Sequence, residues 1–195
     1  PQPCLPNDIV INEIMPDPKD NGVEWVEIYN RSTKVIDLST LTLCSQDTIV
    51  GILTYINNNF SVGFLIFPGE YYVLSTNSTA IKGQYVTANQ KGFIDMSSIP
   101  SLSNTGDIVV IADLSQTIID KLIYSDTWHF PLLNSTKGFS LERIDYNRPT
   151  QDQTNWHTCA QNAEATPAYE NSQYSQGEIG NEITASPEIF SPDND

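Results

Sequence analysis

Hydrophobic residues along the chain occur in short runs that are rich in β-branched and aromatic side chains and separated by clusters of Asn, Asp, Gly, Pro and Ser. Runs of this length, bounded by turn residues, are typical of β-strands, and hardly any stretch has the period of an amphipathic helix. The pattern predicts an all-β sandwich with at most a turn or two of helix, near Ile94–Ser98. The predicted strands are Ile9–Met15, Val23–Tyr29, Leu41–Cys44, Ile49–Tyr55, Tyr71–Ser75, Asp107–Asp113, Ile118–Tyr124 and Ser140–Ile144.

The second predicted strand carries a carboxylate on each of its faces. Side chains alternate along a strand, so Glu24 and Glu27 point to opposite sides. A carboxylate on a covered face needs a hydrogen-bonding or ionic partner. We expect the cross-strand cation Arg143 to pair with Glu27 or Glu13, which gives these residues a structural role. Glu24, at the mouth of the strand, stays available to a cation.

The connections between runs indicate where strands pair and where loops are large. The short Leu114–Thr117 connection predicts a hairpin between Asp107–Asp113 and Ile118–Tyr124. Two polar connections, Thr76–Asn89 and Ser125–Lys137, are longer than ordinary hairpin loops. Adaptable binding in a sandwich is expected in such loops.

Changes in composition divide the chain into four parts. Residues 1–7 precede the first strand as an N-terminal leader segment, and residues 8–172 hold the predicted strands. Residues 173–186 are rich in Ser, Gln, Gly, Asn and Glu with little to bury, which predicts a flexible linker. Residues 187–195 combine an apolar pair with an Asp/Asn-rich end, and we interpret them as the truncated start of a following module.

The charge of the chain restricts the classes of partner. With 24 acidic and 9 basic residues, the net charge is −15. Contacts with phosphate backbones and anionic membranes need clustered Lys and Arg, so neither nucleic acid nor an anionic membrane surface is an expected partner. No apolar run reaches the roughly 18 residues of a membrane span, so we expect no membrane insertion. The balance fits a secreted or cell-surface protein or one whose carboxylates hold Ca²⁺.

The three cysteines, Cys4, Cys44 and Cys159, are too few for a disulfide framework and lack the spacing of a zinc site. One bridge with an odd thiol and three unpaired thiols both remain open at this point.

One loop has oxygen ligands that suit a hard cation. Asp17, Asp20, Asn21 and Glu24 stand close together around a glycine, which permits a sharp turn. The segment lacks the full EF-hand pattern, and Lys19 interrupts it. The alternatives are a Ca²⁺ site and a polar turn between the first two strands.

Catalytic motifs are lacking in the sequence. His129 and His157 are the two histidines, and neither lies near a nucleophile motif, a Gly-rich phosphate loop or a His-rich metal spacing. We therefore expect no enzyme and no resident cofactor besides the candidate Ca²⁺.

Aromatic residues supply the best candidate binding surface. Trp128, His129 and Phe130 lie together in a loop and are predicted to form an exposed platform for a protein or carbohydrate. Trp25 and Trp156 lie in strand-like surroundings, and for these two we expect packing in the core.

Several segments, in one consistent order over residues 8–172, together resemble the lamin-tail domain family. The matching segments are Ile11-Asn12-Glu13-Ile14 with Pro16, Glu24–Asn30, Ile36–Ser39, Leu41–Leu43, Pro68–Leu74, Leu102–Asp107, Ile119–Tyr124, Ser140-Leu141-Glu142-Arg143, Trp156 and Ala165–Asn171. Family members tend to end this run with Thr-Pro-Gly, whereas this chain has Thr166-Pro167-Ala168. A terminal turn that used Gly at positive φ is therefore expected to be built differently.

The resemblance implies an immunoglobulin-like β-sandwich with enlarged loops, of the type found in bacterial extracellular proteins. It implies a non-catalytic adhesion, spacer or binding module of a larger secreted or cell-surface protein, with protein, carbohydrate or neighbouring domains of the same precursor as partners. The alternatives are a nucleic-acid-associated module of the lamin-tail type and an accessory domain of an extracellular hydrolase.

Overall fold

The computed structural model describes residues 1–47, 49–55, 60, 63–160 and 162–175, and β-strands dominate this part of the chain. The strands are β1 Ile9–Met15, β2 Trp25–Asn30, β3 Ile36–Asp37, β4 Leu41–Gln46, β5 Leu53–Tyr55, β6 Leu65–Ile66, β7 Tyr71–Ser75, β8 Phe93–Asp95, β9 Gly106–Asp113, β10 Ile118–Ser125, β11 Leu141–Arg143 and β12 Trp156–Thr158.

Two sheets form the sandwich. The larger has six strands in the order β12-β11-β1-β2-β7-β8, and the smaller has four in the order β10-β9-β4-β5, while β3 and β6 pair separately. Neighbouring strands are antiparallel except β7 and β8, which are parallel. The all-β, immunoglobulin-like fold is therefore confirmed.

The core lies between the two sheets and follows from the alternation of side chains. Ile11 and Ile28 from the larger sheet meet Leu43, Val109 and Ile111 from the smaller one in a single buried cluster. Trp25 and Val73 belong to a second cluster, on the outer face of the six-stranded sheet. The larger sheet is thus covered on both faces.

A β-bulge in β1 decides which side chains share that outer face. The pairing of β1 with β2 shifts between Ile11 and Glu13, so Asn12 is an extra residue in the strand. After the shift, Glu13 lies opposite Glu27 of β2, and it also lies opposite Glu142 of β11. Because cross-strand partners project to the same face, the three glutamates form a row across adjacent strands.

The predicted helix near Ile94–Ser98 is wrong, because Ile94 lies in β8 and the α-helix occurs earlier. Helix α1, Ser78–Gln84, lies inside the connection that was expected to be a loop, Thr76–Asn89. The Asn77 side chain accepts a hydrogen bond from the Ala80 N–H and so caps the helix N-terminus.

We expect the Asn77→Ala variant to be destabilised by about 0.5–2 kcal/mol, because it removes the acceptor for a helix N-terminal N–H. Urea denaturation would measure the change. The matched Asn77→Asp variant keeps an acceptor and should unfold at the wild-type midpoint. Equal losses in both variants would contradict the capping role.

The expected strand Ile49–Tyr55 is shorter than predicted, since β5 begins at Leu53. The Asp47 carboxylate accepts hydrogen bonds from the backbone N–H groups of Ile49 and Val50, both at 2.8 Å. These bonds hold the residues before β5 in a turn. Ile49, Val50 and Ile52 are exposed there. An Asx turn has overridden the strand propensity of these residues.

The hairpin of β9 and β10 forms as predicted. Strand β10 lies at an edge of the smaller sheet, and the outer backbone groups of Ile119 and Ile123 have partners. The Gln151 side-chain amide accepts from the Ile123 N–H and donates to the Ile123 carbonyl, both at 2.9 Å. The Ile119 carbonyl accepts from the Asn7 N–H. The edge is therefore blocked at these two residues by the same chain.

Residues 173–175, predicted to begin the linker, contact the sandwich. Gln173 N–H donates to Glu142, and Ser175 N–H donates to the Ile144 carbonyl. The remainder of the predicted linker and the predicted following module, residues 187–195, lie outside the described residues. Within the part of the chain that the structure describes, no helix is long and apolar enough to cross a membrane.

Candidate functional site

An open groove of about 370 Å³ lies beside β12 and the Ser125–Lys137 connection. Its apolar walls include Phe130, Leu132, Leu133 and Phe139. Phe130 and Leu132 are exposed, Leu132 to 80%. Among the described residues that line the groove there is no Asp, Glu, Lys or Arg. This volume and lining fit the side chains of a ligand that is itself largely apolar.

The structure only partly supports the predicted platform of Trp128, His129 and Phe130. Trp128 ends a short 3₁₀ helix and packs against the main core, and His129 is buried. His129 Nδ1 lies 3.0 Å from Thr158 Oγ1, and the Phe130 N–H donates to the same oxygen. Phe130 alone faces the groove, so the three side chains do not form one exposed surface.

Burial shifts the pKa of His129 and of the three cysteine thiols, one of which lines the groove. It lowers the pKa of His129 to about 4, so this imidazole is neutral at neutral pH. Cys4, Cys44 and Cys159 are free, and burial raises the pKa of each thiol, for Cys44 to about 11. Thiolates, not thiols, are nucleophilic, so Cys159 in the groove wall is held in its inert form.

The structure does not assemble the predicted Ca²⁺ site. Asp17 accepts hydrogen bonds from Asn104 and Thr136, and Asp20 pairs with Lys137. Glu24 accepts from the Leu102 N–H, and Asn21 adopts a φ of 62° in the turn. Each of the four residues thus serves the protein separately. Among the described residues, no group of three or more His, Cys, Asp or Glu side chains could hold a metal ion.

The predicted ion pair between Glu27 and Arg143 is also wrong. Glu27 is fully buried, and its carboxylate accepts from Asn12 Nδ2 at 2.8 Å and from the Ala168 N–H at 2.6 Å. It faces the outer side of the sheet, whereas the Arg143 guanidinium lies at the Ile11 carbonyl. No sequence pattern indicates this arrangement, because the donors to Glu27 are amides rather than a cation.

Arg143 instead holds a buried network with Asp120. Its Nη1 lies 3.7 Å from Asp120 Oδ2 and donates to Thr150 Oγ1, which donates to Asp120 Oδ1. The guanidinium also donates to three backbone carbonyls, those of Ile11, Asp145 and Arg148. Burial lowers the pKa of Arg143 to about 10, still far enough above neutrality to keep the charge.

The three glutamates of the outer face are covered by the last described segment, residues 165–175, which we call the strap. The Thr166 N–H donates to Glu13, the Ala168 N–H to Glu27 and the Gln173 N–H to Glu142. Each glutamate is fully buried. The strap is therefore fixed by its own backbone donors to a row of carboxyl groups.

Asn171 completes the attachment of the strap. Its amide nitrogen donates to the carbonyls of Asn12 and Arg143, and its amide oxygen accepts from Asn12 Nδ2. The bulge residue Asn12 therefore joins the strap to Glu27 through its one amide group.

The turn at Ala168 corrects another expectation. Ala168 itself adopts a φ of 70°, so the chain keeps the left-handed turn that a glycine would build, despite the Cβ. This conformation directs the Ala168 N–H to Glu27, and the methyl group is buried in the cluster with Met15 and Trp25. Buried contacts on both sides hold a backbone that alanine rarely adopts.

Burial and mutual repulsion shift the protonation of the row. Desolvation, followed by the charges of Glu142 and Glu27, holds the pKa of Glu13 well above its usual range. Desolvation raises the pKa of Glu27 to about 8. Both carboxyl groups therefore retain protons at pH values at which exposed glutamates are ionised.

Of the aromatic residues predicted to pack, Trp25 lies under the strap and Trp156 lies in the main core, where its Nε1 donates to the Thr150 carbonyl at 2.7 Å.

The sequence reasoning missed the roles of Glu13 and Glu142. The segments Ile11-Asn12-Glu13-Ile14 and Ser140-Leu141-Glu142-Arg143 marked both positions, but no sequence signal brings them together with Thr166.

Comparison with known proteins gives a match to a family and likenesses to solved structures. The model of the family described as Lamin Tail Domain matches residues 5–126. No curated protein matches the chain. Among solved structures, a DUF4876 family protein from Bacteroides thetaiotaomicron VPI-5482 has a TM-score of 0.43 and 13% sequence identity, with 92% of this chain and 75% of that chain covered. A TM-score this low carries no argument about function. The family match spans more than half of the chain, so the chain belongs to the lamin tail domain family.

Proposed function

We propose that the chain is a non-catalytic binding module of a larger secreted or cell-surface bacterial protein, with the groove beside β12 as its contact surface for a protein partner. Membership of the lamin tail domain family supports the module, since this immunoglobulin-like fold is typically non-catalytic. The observation that carries the proposal is the exposure of Phe130 and Leu132 at the edge of an apolar groove. Solvent-exposed apolar side chains around a concave surface mark interaction sites.

The lining of the groove favours protein over carbohydrate. Recognition of sugar hydroxyls needs several convergent polar groups beside an aromatic face. The polar side chains of the described lining are those of Asn134, His157, Thr158 and Gln173, and the Thr158 hydroxyl is already hydrogen-bonded within the protein. Leu132 and Leu133 instead suit the aliphatic or aromatic side chain of a peptide. The net charge of −15 gives no support for a nucleic-acid partner.

Selection from a random peptide library displayed on phage would test the proposal. We expect selected peptides to carry an apolar anchor, and we expect the Leu132→Asp variant to bind them at least roughly tenfold more weakly, because a charge would then stand in an apolar groove. The matched control is Leu114→Asp, since Leu114 is equally exposed, at 71%, in the turn between β9 and β10.

Thermal melting should give the same midpoint for both variants, so that a loss of binding reports on the groove rather than on folding. Peptides that bind both variants as well as they bind the wild type would place the contact elsewhere and contradict the proposal. If the wild type binds a glycan array and Leu132→Asp does not, the partner is a carbohydrate and the proposed protein partner is wrong.

A further inference from the structure

The strap covers a surface that is partly apolar and partly acidic. Ala165 and Ala168 pack on Met15, Trp25 and Val73, all of which are buried. Beside this cluster, strap donors satisfy the three buried glutamates. Apolar contacts favour the closed strap at any pH, whereas the glutamates favour it only in a suitable protonation state.

The Thr166 hydroxyl shows which protonation state fits the closed strap. Thr166 Oγ1 lies 2.5 Å from Glu142 Oε1 and 3.2 Å from Glu13 Oε2. A hydroxyl has one proton to donate, so it can donate to one of the two carboxyl groups and must accept from the other. A carboxyl group can donate only when it is protonated.

The position of Glu13 identifies it as the protonated group, because it lies between Glu27 and Glu142 in the row and so meets the repulsion of two carboxyl groups. Glu142 accepts from the Ser172 hydroxyl and from the Gln173 N–H through its second oxygen. Glu13 accepts from the Thr166 N–H of the strap and from the Ser140 side chain. A chain that runs from the Glu13 carboxyl to the Thr166 hydroxyl and on to the Glu142 carboxylate satisfies all three groups.

The groups around Glu13 do not compensate a second negative charge. The titratable groups that act on the row are Glu13, Glu27 and Glu142 themselves together with Cys159, Tyr71, Tyr85 and Tyr169. None of these is a cation. Arg143 is the cationic residue next to Glu142 in sequence, but its guanidinium pairs with Asp120. Ionisation of the whole row would place three carboxylates on neighbouring strands without a counter-charge.

We propose that the strap is a pH-sensitive latch, locked by one proton on Glu13 that is shared through the Thr166 hydroxyl with Glu142, and released as this proton passes to solvent at rising pH. Release uncovers the apolar cluster of Met15, Trp25 and Val73 together with the three carboxylates. The sandwich core, which is formed between the two sheets, stays intact because it does not include the strap.

The raised pKa values of Glu13 and Glu27 give the direction and the pH window. In the open strap these groups meet water, and their pKa returns towards 4.5. Between that value and the pKa of the closed state, opening of the strap releases one proton from each of these groups to solvent. The open fraction therefore increases roughly tenfold per pH unit for each group. The strap should open increasingly from weakly acidic to weakly alkaline pH.

Amide hydrogen exchange measured by NMR between pH 5.5 and 8.5 tests the latch in the wild-type protein. After correction for intrinsic exchange rates, we expect the protection of the N–H groups of Thr166, Ala168 and Gln173 to fall roughly tenfold or more per pH unit. We also expect these amides to exchange at least about tenfold faster than those of the β9–β10 hairpin, because the strap opens without global unfolding.

The Glu13→Gln variant tests whether the proton on Glu13 causes the pH dependence of the strap. Its amide can donate to Thr166 permanently, so the slope of strap protection should be smaller by one proton and protection at pH 8.5 should exceed that of the wild type. Glu24→Gln is the matched control, since burial also raises the pKa of Glu24, but this side chain bonds to Leu102 outside the row. It should behave as the wild type.

Three results would overturn the latch. The first is strap protection in the wild type that does not change with pH. The second is equal protection of the strap and of the β9–β10 hairpin at every pH, which would mean that the strap opens only on global unfolding. The third is the wild-type slope in Glu13→Gln or a reduced slope in Glu24→Gln, since either would assign the proton to another group. The first two need no variant.

Discussion

Replacing Arg143 by alanine is expected to lower the free energy of unfolding by about 3–5 kcal/mol, because it leaves Asp120 as an uncompensated buried charge. The Arg143 side chain is 1% exposed. Its loss also leaves the buried carbonyl of Ile11 without this donor. Thr150 Oγ1 keeps its bond to Asp120, so the network is broken on one side only.

Arg148 provides the matched control for this prediction. It also pairs with an aspartate, Asp152, but both side chains are more than a third exposed. An exposed ion pair contributes about 0–1 kcal/mol, so Arg148→Ala should unfold near the wild-type midpoint. Urea denaturation of both variants gives the comparison. Similar losses for Arg143→Ala and Arg148→Ala would show that burial does not govern the contribution of Arg143.

The second large effect is a fall in stability as the pH rises from about 6.5 to 8. Glu27 has a folded-state pKa of about 8 against 4.5 for an ordinary glutamate, so the folded protein binds more protons than the unfolded chain between these values. Stability then falls with pH by about 1.4 kcal/mol per pH unit for each such group. Over this range Glu27 alone accounts for about 2 kcal/mol, and Glu13 adds to it with the same sign.

At lower pH, His129 changes the stability in the opposite direction to the glutamates. Its folded-state pKa of about 4 lies below the ordinary value of 6.5, so between these values the unfolded chain binds the extra proton. Stability rises with pH in this window, and His129 offsets one of the glutamates there. Above pH 6.5 His129 no longer contributes, and the glutamates act unopposed.

Urea unfolding at pH 5, 6, 7 and 8 would measure this profile. The Glu27→Gln variant should lose about one proton of the slope between pH 6.5 and 8, since glutamine does not titrate. In His129→Gln the fall should begin at lower pH. A wild-type stability that is constant or increasing from pH 6.5 to 8 would contradict the assigned shifts.

Much of the fold could be predicted because alternation and turn residues determine it locally. The strands β1, β2, β7, β9 and β10 are short apolar runs bounded by turn residues, and the segments that resemble the family fix their order. The failures have local causes. Asp47 turned Ile49 and Val50 out of a strand, and Asn77 began a helix in a segment without obvious helical period.

The candidate sites were less predictable because their partners are distant in sequence. Glu27 was expected to meet a cation, but its donors are Asn12, placed by a bulge, and a backbone amide 141 residues away. Neither a bulge nor a backbone donor leaves a signature in one sequence. Of the predicted aromatic platform, Phe130 is exposed at the groove, whereas Trp128 and His129 point inward because Thr158 fixes the loop from the neighbouring strand.

The amide of Gln151 on the edge of β10 has a consequence for crowded conditions. An open strand edge offers unpaired N–H and C=O groups on which another chain can add a strand and start aggregation. Here Gln151 and Asn7 occupy the groups of Ile123 and Ile119 that an incoming strand would use. Two folded copies that meet at this edge must first displace a bond within one molecule, so chance encounters do not extend into a shared sheet.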